Sequence, residues 1–171
     1  MSCTCKVHKI FTHLILAPLV LADVGGRNVN HTGGIDPDAH GQWRSGVGLA
    51  RTRLDGFLSL DTPLLKDGEG WDGAELLTKP LVFAGKSLQL NVDTGAAGSV
   101  LVEMQDAASG APLPGFSLNA SVPLVSNSVR AVVSWQTEGG GETTDVGPLA
   151  GKSVRVRLVT LGTKLYSIQF V

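Results

Sequence analysis

A chain of 171 residues is long enough to bury a real core and short enough to be one main domain. Its 22 glycines, 5% aromatics and 17% charged residues, with abundant Leu and Val, describe short strands joined by tight turns and argue against disorder over most of its length. The formal net charge of −1 leaves no surplus of Lys or Arg to neutralise phosphates, which removes the electrostatic case for nucleic acid or an anionic membrane as partner.

Lys6 and Lys9 precede an apolar run from Ile10 to Ala22, and Val20-Leu21-Ala22 offers small or modest side chains where a signal peptidase reads. This predicts a secretory leader over residues 1–22, a mature chain starting at Asp23 and an extracellular destination. The run falls short of the roughly 20 apolar residues that a membrane span needs. Both cysteines, Cys3 and Cys5, lie inside the leader, so no disulfide framework is expected in the mature chain. From residue 23 to 45 the sequence is rich in Gly, Asn and Asp, as in Gly25-Gly26, Gly33-Gly34 and Asp36-Pro37-Asp38, and reads as an irregular linker.

From residue 46 onward, alternation with period two takes over, as strands with one buried face require. Leu88, Leu90 and Val92 alternate with Ser87, Gln89, Asn91 and Asp93. Val100, Val102 and Met104 form another inward row, followed by Val132 with Val133, then Val154, Val156 and Leu158 against Arg155 and Arg157, and finally Tyr166, Ile168 and Phe170. Turn signals separate them at Asp93-Thr94-Gly95, Ser109-Gly110, Pro112 to Gly115, Gly139-Gly140-Gly141 and Leu161-Gly162-Thr163. The expected fold is therefore all-β, an antiparallel, jelly-roll-like β-sandwich over residues 46–171. Ala84-Gly85-Lys86-Ser87 and Ala150-Gly151-Lys152-Ser153 repeat one pattern just before a strand. A phosphate-binding loop is excluded there, because Pro80 and Val146 stand where its first glycine belongs and a strand follows in place of a helix.

Several stretches are more specific than periodicity. They are Gly48–Asp61, Leu76–Asp106, Leu113–Leu118, Val132–Trp135, Leu149–Val159 and Leu165–Phe170. Together they resemble the C-terminal β-sandwich that follows a five-bladed catalytic propeller in glycoside hydrolases of the family 32 fructosidase and arabinanase-like group, over about residues 46–171. The resemblance implies a non-catalytic accessory module whose partner is a polysaccharide or a propeller domain. In that group the propeller carries the active-site carboxylates, and here only Gln42 to Arg53 could correspond to a last propeller strand. The chain is accordingly expected to be a freestanding descendant of the accessory domain or a fragment of a larger hydrolase.

The residue inventory points the same way. No His or Cys follows His40, so neither a Ser-His-Asp nor a Cys-His site can be built in the sandwich, and His31 with His40 is too little for zinc. Asp67, Glu69, Asp72 and Glu75 cluster around Trp71. A glycosidase needs two carboxyl groups roughly 5–9.5 Å apart, one of them kept protonated, and sequence spacing does not establish that. A solvated acidic loop is the plain reading, with a structural calcium site on Asp67, Glu69 and Asp72 as the metal alternative. Apart from that calcium no cofactor is expected. Trp71 beside Asp72 is the candidate sugar contact, since an exposed indole face can stack on a sugar ring; covering the sandwich edge is its alternative role. Trp135 is expected in the core, and Trp43 where the chain enters the domain. Asn30-His31-Thr32 and Asn119-Ala120-Ser121 are N-glycosylation acceptors if the chain enters a eukaryotic secretory route. The alternative to a carbohydrate-associated module is a structural or protein-interaction domain.

Overall fold

The computed structural model describes residues 19–27, 45–64 and 73–171. These fall into two compact units, divided between Phe57 and Leu58. In the smaller unit, β1 (Leu19–Arg27) pairs antiparallel with β2 (Ser45–Arg53), from Leu19 opposite Arg53 to Arg27 opposite Ser45. The strand β1 runs through residues 19–22, expected to end a leader, and through Gly25 and Gly26, expected to be linker. Glycine lowers strand preference, but the ladder runs unbroken through both, with Gly25 opposite Val47 and Gly26 opposite Gly46. Residues 45–57 group with this hairpin.

The larger unit is all-β, antiparallel and two-layered, and its strands are short. One sheet has the order β3 (Leu60–Thr62), β12 (Thr163–Phe170), β6 (Leu88–Asp93), β8 (Asn127–Val132). The other is built on β11 (Ser153–Leu161), with β7 (Ser99–Asp106) along one side and β4 (Ala74–Leu77) and β5 (Leu81–Val82) end to end along the other. A small ribbon of β9 (Trp135–Gln136) and β10 (Glu142–Thr143) lies beside them in sequence.

Alternation drives the two layers together. Leu88, Leu90 and Val92 from one sheet meet Val100, Val102, Met104, Val154, Val156 and Leu158 from the other in one fully buried cluster. Trp135 completes it: the ring is buried, lies edge-on to Phe116 with centroids 5.1 Å apart, and its Nε1 donates to Val102 O at 2.8 Å. That bond removes the penalty an unpaired indole N–H would carry in the core.

Two expected core rows need correction. Val133 is buried, but Val132 is 42% exposed, because neighbours along a strand point to opposite faces and both cannot turn inward. In β12 the register shifts between Leu165 and Ser167, so Leu165 and Ile168, three residues apart, both oppose inward residues of β6. The inward row therefore runs Leu165, which is buried, then Ile168 and Phe170, which are partly buried against the core, and Tyr166 occupies the bulge.

Both edges of the β11 sheet are blunted. Along β7, the segment 111–124 takes the place of a strand: Leu124 exchanges both backbone bonds with Val100, Ser121 Oγ accepts from Val102 N, and Met104 bonds to Leu113 and Phe116. Along the opposite edge, Thr78-Lys79-Pro80 interrupts the pairing between β4 and β5. Thr78 bonds Val156 through its own N–H and its hydroxyl, and Pro80 has no N–H to offer a further strand. The turns β6–β7 and β11–β12 carry the chain from one sheet to the other, and they touch. A Cβ on Gly98 would fall inside contact distance of the carbonyl oxygens of Thr94, Leu161 and Gly162, so only glycine fits there.

Candidate functional site: two outer sheet faces

The outer face of the β11 sheet carries an ionic network. Alternation that sends Val154, Val156 and Leu158 inward sends Arg155 and Arg157 outward, and the ladder sets Arg157 opposite Glu103 and Arg155 opposite Gln105. Arg157 lies between two carboxylates, with NH2 at 2.8 Å from Glu75 Oε2 and NH1 at 3.4 Å from Glu103 Oε1. Glu103 is only 3% exposed, and its remaining acceptor capacity is used by Gln105 Nε2 at 2.8 Å and Leu118 N at 2.9 Å. Burial alone would raise its pKa, but the bonds from Gln105, Leu118 and Arg157 outweigh it and hold the carboxyl below the ordinary glutamate value of 4.5. Arg157 is pushed up in turn, chiefly by its bond to Glu75. This chemistry is the reverse of a glycosidase acid, which must keep its proton at neutral pH. The network instead ties β4, β11, β7 and the turn at Leu118 together. Glu75 therefore pairs with Arg157 in the sheet and does not stand as a solvated loop acid.

The outer face of the β12 sheet is different in kind. Cross-strand pairing sets Val132, Gln89 and Gln169 in one row, Asn91 beside Ser167 in the next, and Asn127, Asp93, Lys164 and Asp61 in a third. Lys164 pairs with Asp61 at 3.4 Å, and both are more than half exposed, so the bond adds little stability. Asp93 Oδ1 accepts from Gly95 N. Gln89 and Gln169, directly opposite each other, have side-chain amides with no hydrogen-bond partner among the described residues. Gln169 is exposed and Gln89 half-buried. Each amide offers two donors and an acceptor, so the pair is equipped to bind neighbouring hydroxyls.

Of the residues singled out from sequence, Trp71, Asp72, Asp67, Glu69 and Asn30 lie outside the described residues, as do Trp43, His31 and His40. Asn119 is exposed on a short helical turn, Leu118–Ala120. Among the described residues, no three His, Cys, Asp or Glu side chains gather to hold a metal, and no helix is long and apolar enough to cross a membrane. In the Gly85 turn, the N–H groups of Lys86 and Ser87 donate to Val171 O at 2.6 and 2.9 Å, so the donors a phosphate loop would offer are already engaged. Sequence reasoning missed Glu103. The available signal was the opposite sign of two alternating rows, Glu103 with Gln105 against Arg155 with Arg157.

Compared with known protein families, with curated proteins and with solved structures, the chain finds no match.

Proposed function

We propose that this chain is a non-catalytic, carbohydrate-associated β-sandwich module, jelly-roll-like and extracellular, that contacts a neutral oligosaccharide through the outer face of the β12 sheet. The observation that carries the reading is the Gln89–Gln169 pair: two amides in register, unengaged among the described residues, on the outer face of the β12 sheet. Side-chain amides bind sugar hydroxyls bidentately, and an uncharged amide pair suits an uncharged ligand. The resemblance to the hydrolase sandwich supports the same ligand class.

Titration calorimetry against a panel of plant and algal oligosaccharides tests it, with hydrolysis of the same panel measured in parallel. Binding without turnover is expected, and Gln89→Ala with Gln169→Ala should weaken it at least tenfold, since two lost hydrogen bonds of about 1 kcal/mol each exceed 1.4 kcal/mol. Loss only on Trp71→Ala would move the contact to the acidic loop, and turnover that vanishes on Asp72→Asn would make the chain an enzyme.

A second reading, a structural or protein-interaction domain docked on a propeller or another partner, is favoured by Leu77 and Val82. These residues are 43% and 62% exposed on β4 and β5, the edge of the other sheet.

A further inference from the structure

Asn119 and Ser121 form the two halves of an N-glycosylation acceptor, and the fold separates their environments. Asn119 is exposed at the middle of the turn Leu118–Ala120, and its side chain makes no hydrogen bond among the described residues. The turn is pinned on either side of it. Leu118 N donates to Glu103 Oε2 at 2.9 Å, and Ser121 N donates to Ser117 O and Leu118 O at 3.1 Å. Ser121 is 6% exposed, and its Oγ accepts from Val102 N at 2.9 Å, standing in for a strand partner along β7. A transferase that recognises Asn-X-Ser must reach both the amide and the hydroxyl two residues on. In the closed sandwich the amide is accessible and the hydroxyl is not.

We infer that Asn119 is an N-glycan acceptor that can be used only before the sandwich closes, and that the finished fold then holds the glycan without disturbance. In the transfer, Asn119 Nδ2 forms a bond to the anomeric carbon of an oligosaccharide carried on a lipid diphosphate. The bond from that carbon to the diphosphate oxygen breaks with its electron pair, the lipid diphosphate leaves, and the amide gives up one proton. Nothing is oxidised or reduced. Because the glycan replaces a hydrogen on an exposed amide, every bond that pins the turn survives.

The test places the full chain behind a cleavable leader in a eukaryotic secretory host and maps glycopeptides by mass spectrometry. The Asn119 peptide should carry a glycan, and Asn119→Gln should lose it with an unchanged melting temperature. In a second arm, unglycosylated full-length protein from bacteria is incubated with purified oligosaccharyltransferase and its lipid-diphosphate donor. The folded protein should be modified slower than the unfolding variant Val156→Asp by roughly tenfold or more, since reaction through an open state follows that state's population. A secreted chain bare at Asn119 would overturn the acceptor assignment. Equal rates for folded and unfolded chains would overturn its dependence on folding.

Discussion

The two outer faces are made by the same device, the polar half of an alternating strand, yet they are put to different use. On the β11 sheet the polar groups bind one another: Glu75, Arg157, Glu103 and Gln105 join three strands, and Leu118 closes the chain of bonds. On the β12 sheet, Gln89 and Gln169 face each other across the ladder with no such engagement among the described residues. The difference shows how to separate architecture from function in a protein of this kind. A polar residue whose bonding capacity is met by the fold belongs to stability, and one that is positioned but unmet is where a ligand should be sought.

The comparison can be calibrated on the buried side of the same strand. Val156→Asp places a carboxylate among fully buried Val and Leu side chains and should destabilise by more than about 4 kcal/mol, enough to unfold the domain in a denaturant titration. Next in size, Glu103→Gln removes the charged acceptor shared by Arg157, Gln105 and Leu118, at about 1.5–3 kcal/mol in the same assay. A loss below about 0.5 kcal/mol, the range of ordinary surface changes, would mean the network is ornamental.

This prediction extends to pH. The folded-state pKa of Glu103 is depressed, so its contribution is present above the ordinary value of 4.5 and disappears as pH falls through the lower folded value. Wild-type stability should therefore fall more steeply than that of Glu103→Gln below about pH 4.5. Asp61 and Asp106, which are also depressed, leave some slope in both proteins. Parallel slopes for the two would remove Glu103 from the account. The smallest effects belong to the other face and to Arg155, which on β11 makes no ion pair among the described residues: Gln89→Ala, Gln169→Ala and Arg155→Ala should each stay within about 0.5 kcal/mol of wild type in denaturant melts. A larger loss for either glutamine would move that residue from the ligand face into the architecture.

How far the fold could be read from sequence follows from these same residues. Period-two alternation located the rows at Leu88, Val100 and Val154 because each strand buries one face against the other sheet. It failed at Tyr166, where a bulge adds a residue and shifts the phase, and at Val132, where two adjacent valines admit only one inward side chain. The strand through Gly25 and Gly26 was hidden because paired glycines signal a turn or linker, and the pairing with β2 is a tertiary property. At the candidate sites the wet faces were legible, Gln89 among them, but the pairing of Gln89 with Gln169 was not. Register between strands some 80 residues apart is a tertiary property. Glu103 was hidden for a related reason, since the turn that covers it is anchored from another part of the chain.

The contact at Gly98 bears on where this chain accepts new sequence. There the two crossovers meet backbone against backbone, so the spacing of the layers at that corner does not depend on which aliphatic side chains fill the interior. Core residues can be exchanged at roughly constant volume while this corner stays put, whereas an extra residue in either crossover would pull the two apart. The Gly139–Gly141 turn has the opposite character: a Cβ on Gly139 or Gly140 would meet nothing within 4 Å. A peptide tag, a fused domain or a new pair of termini belongs at that turn, on the far side of the β9–β10 ribbon, and nowhere near Gly98.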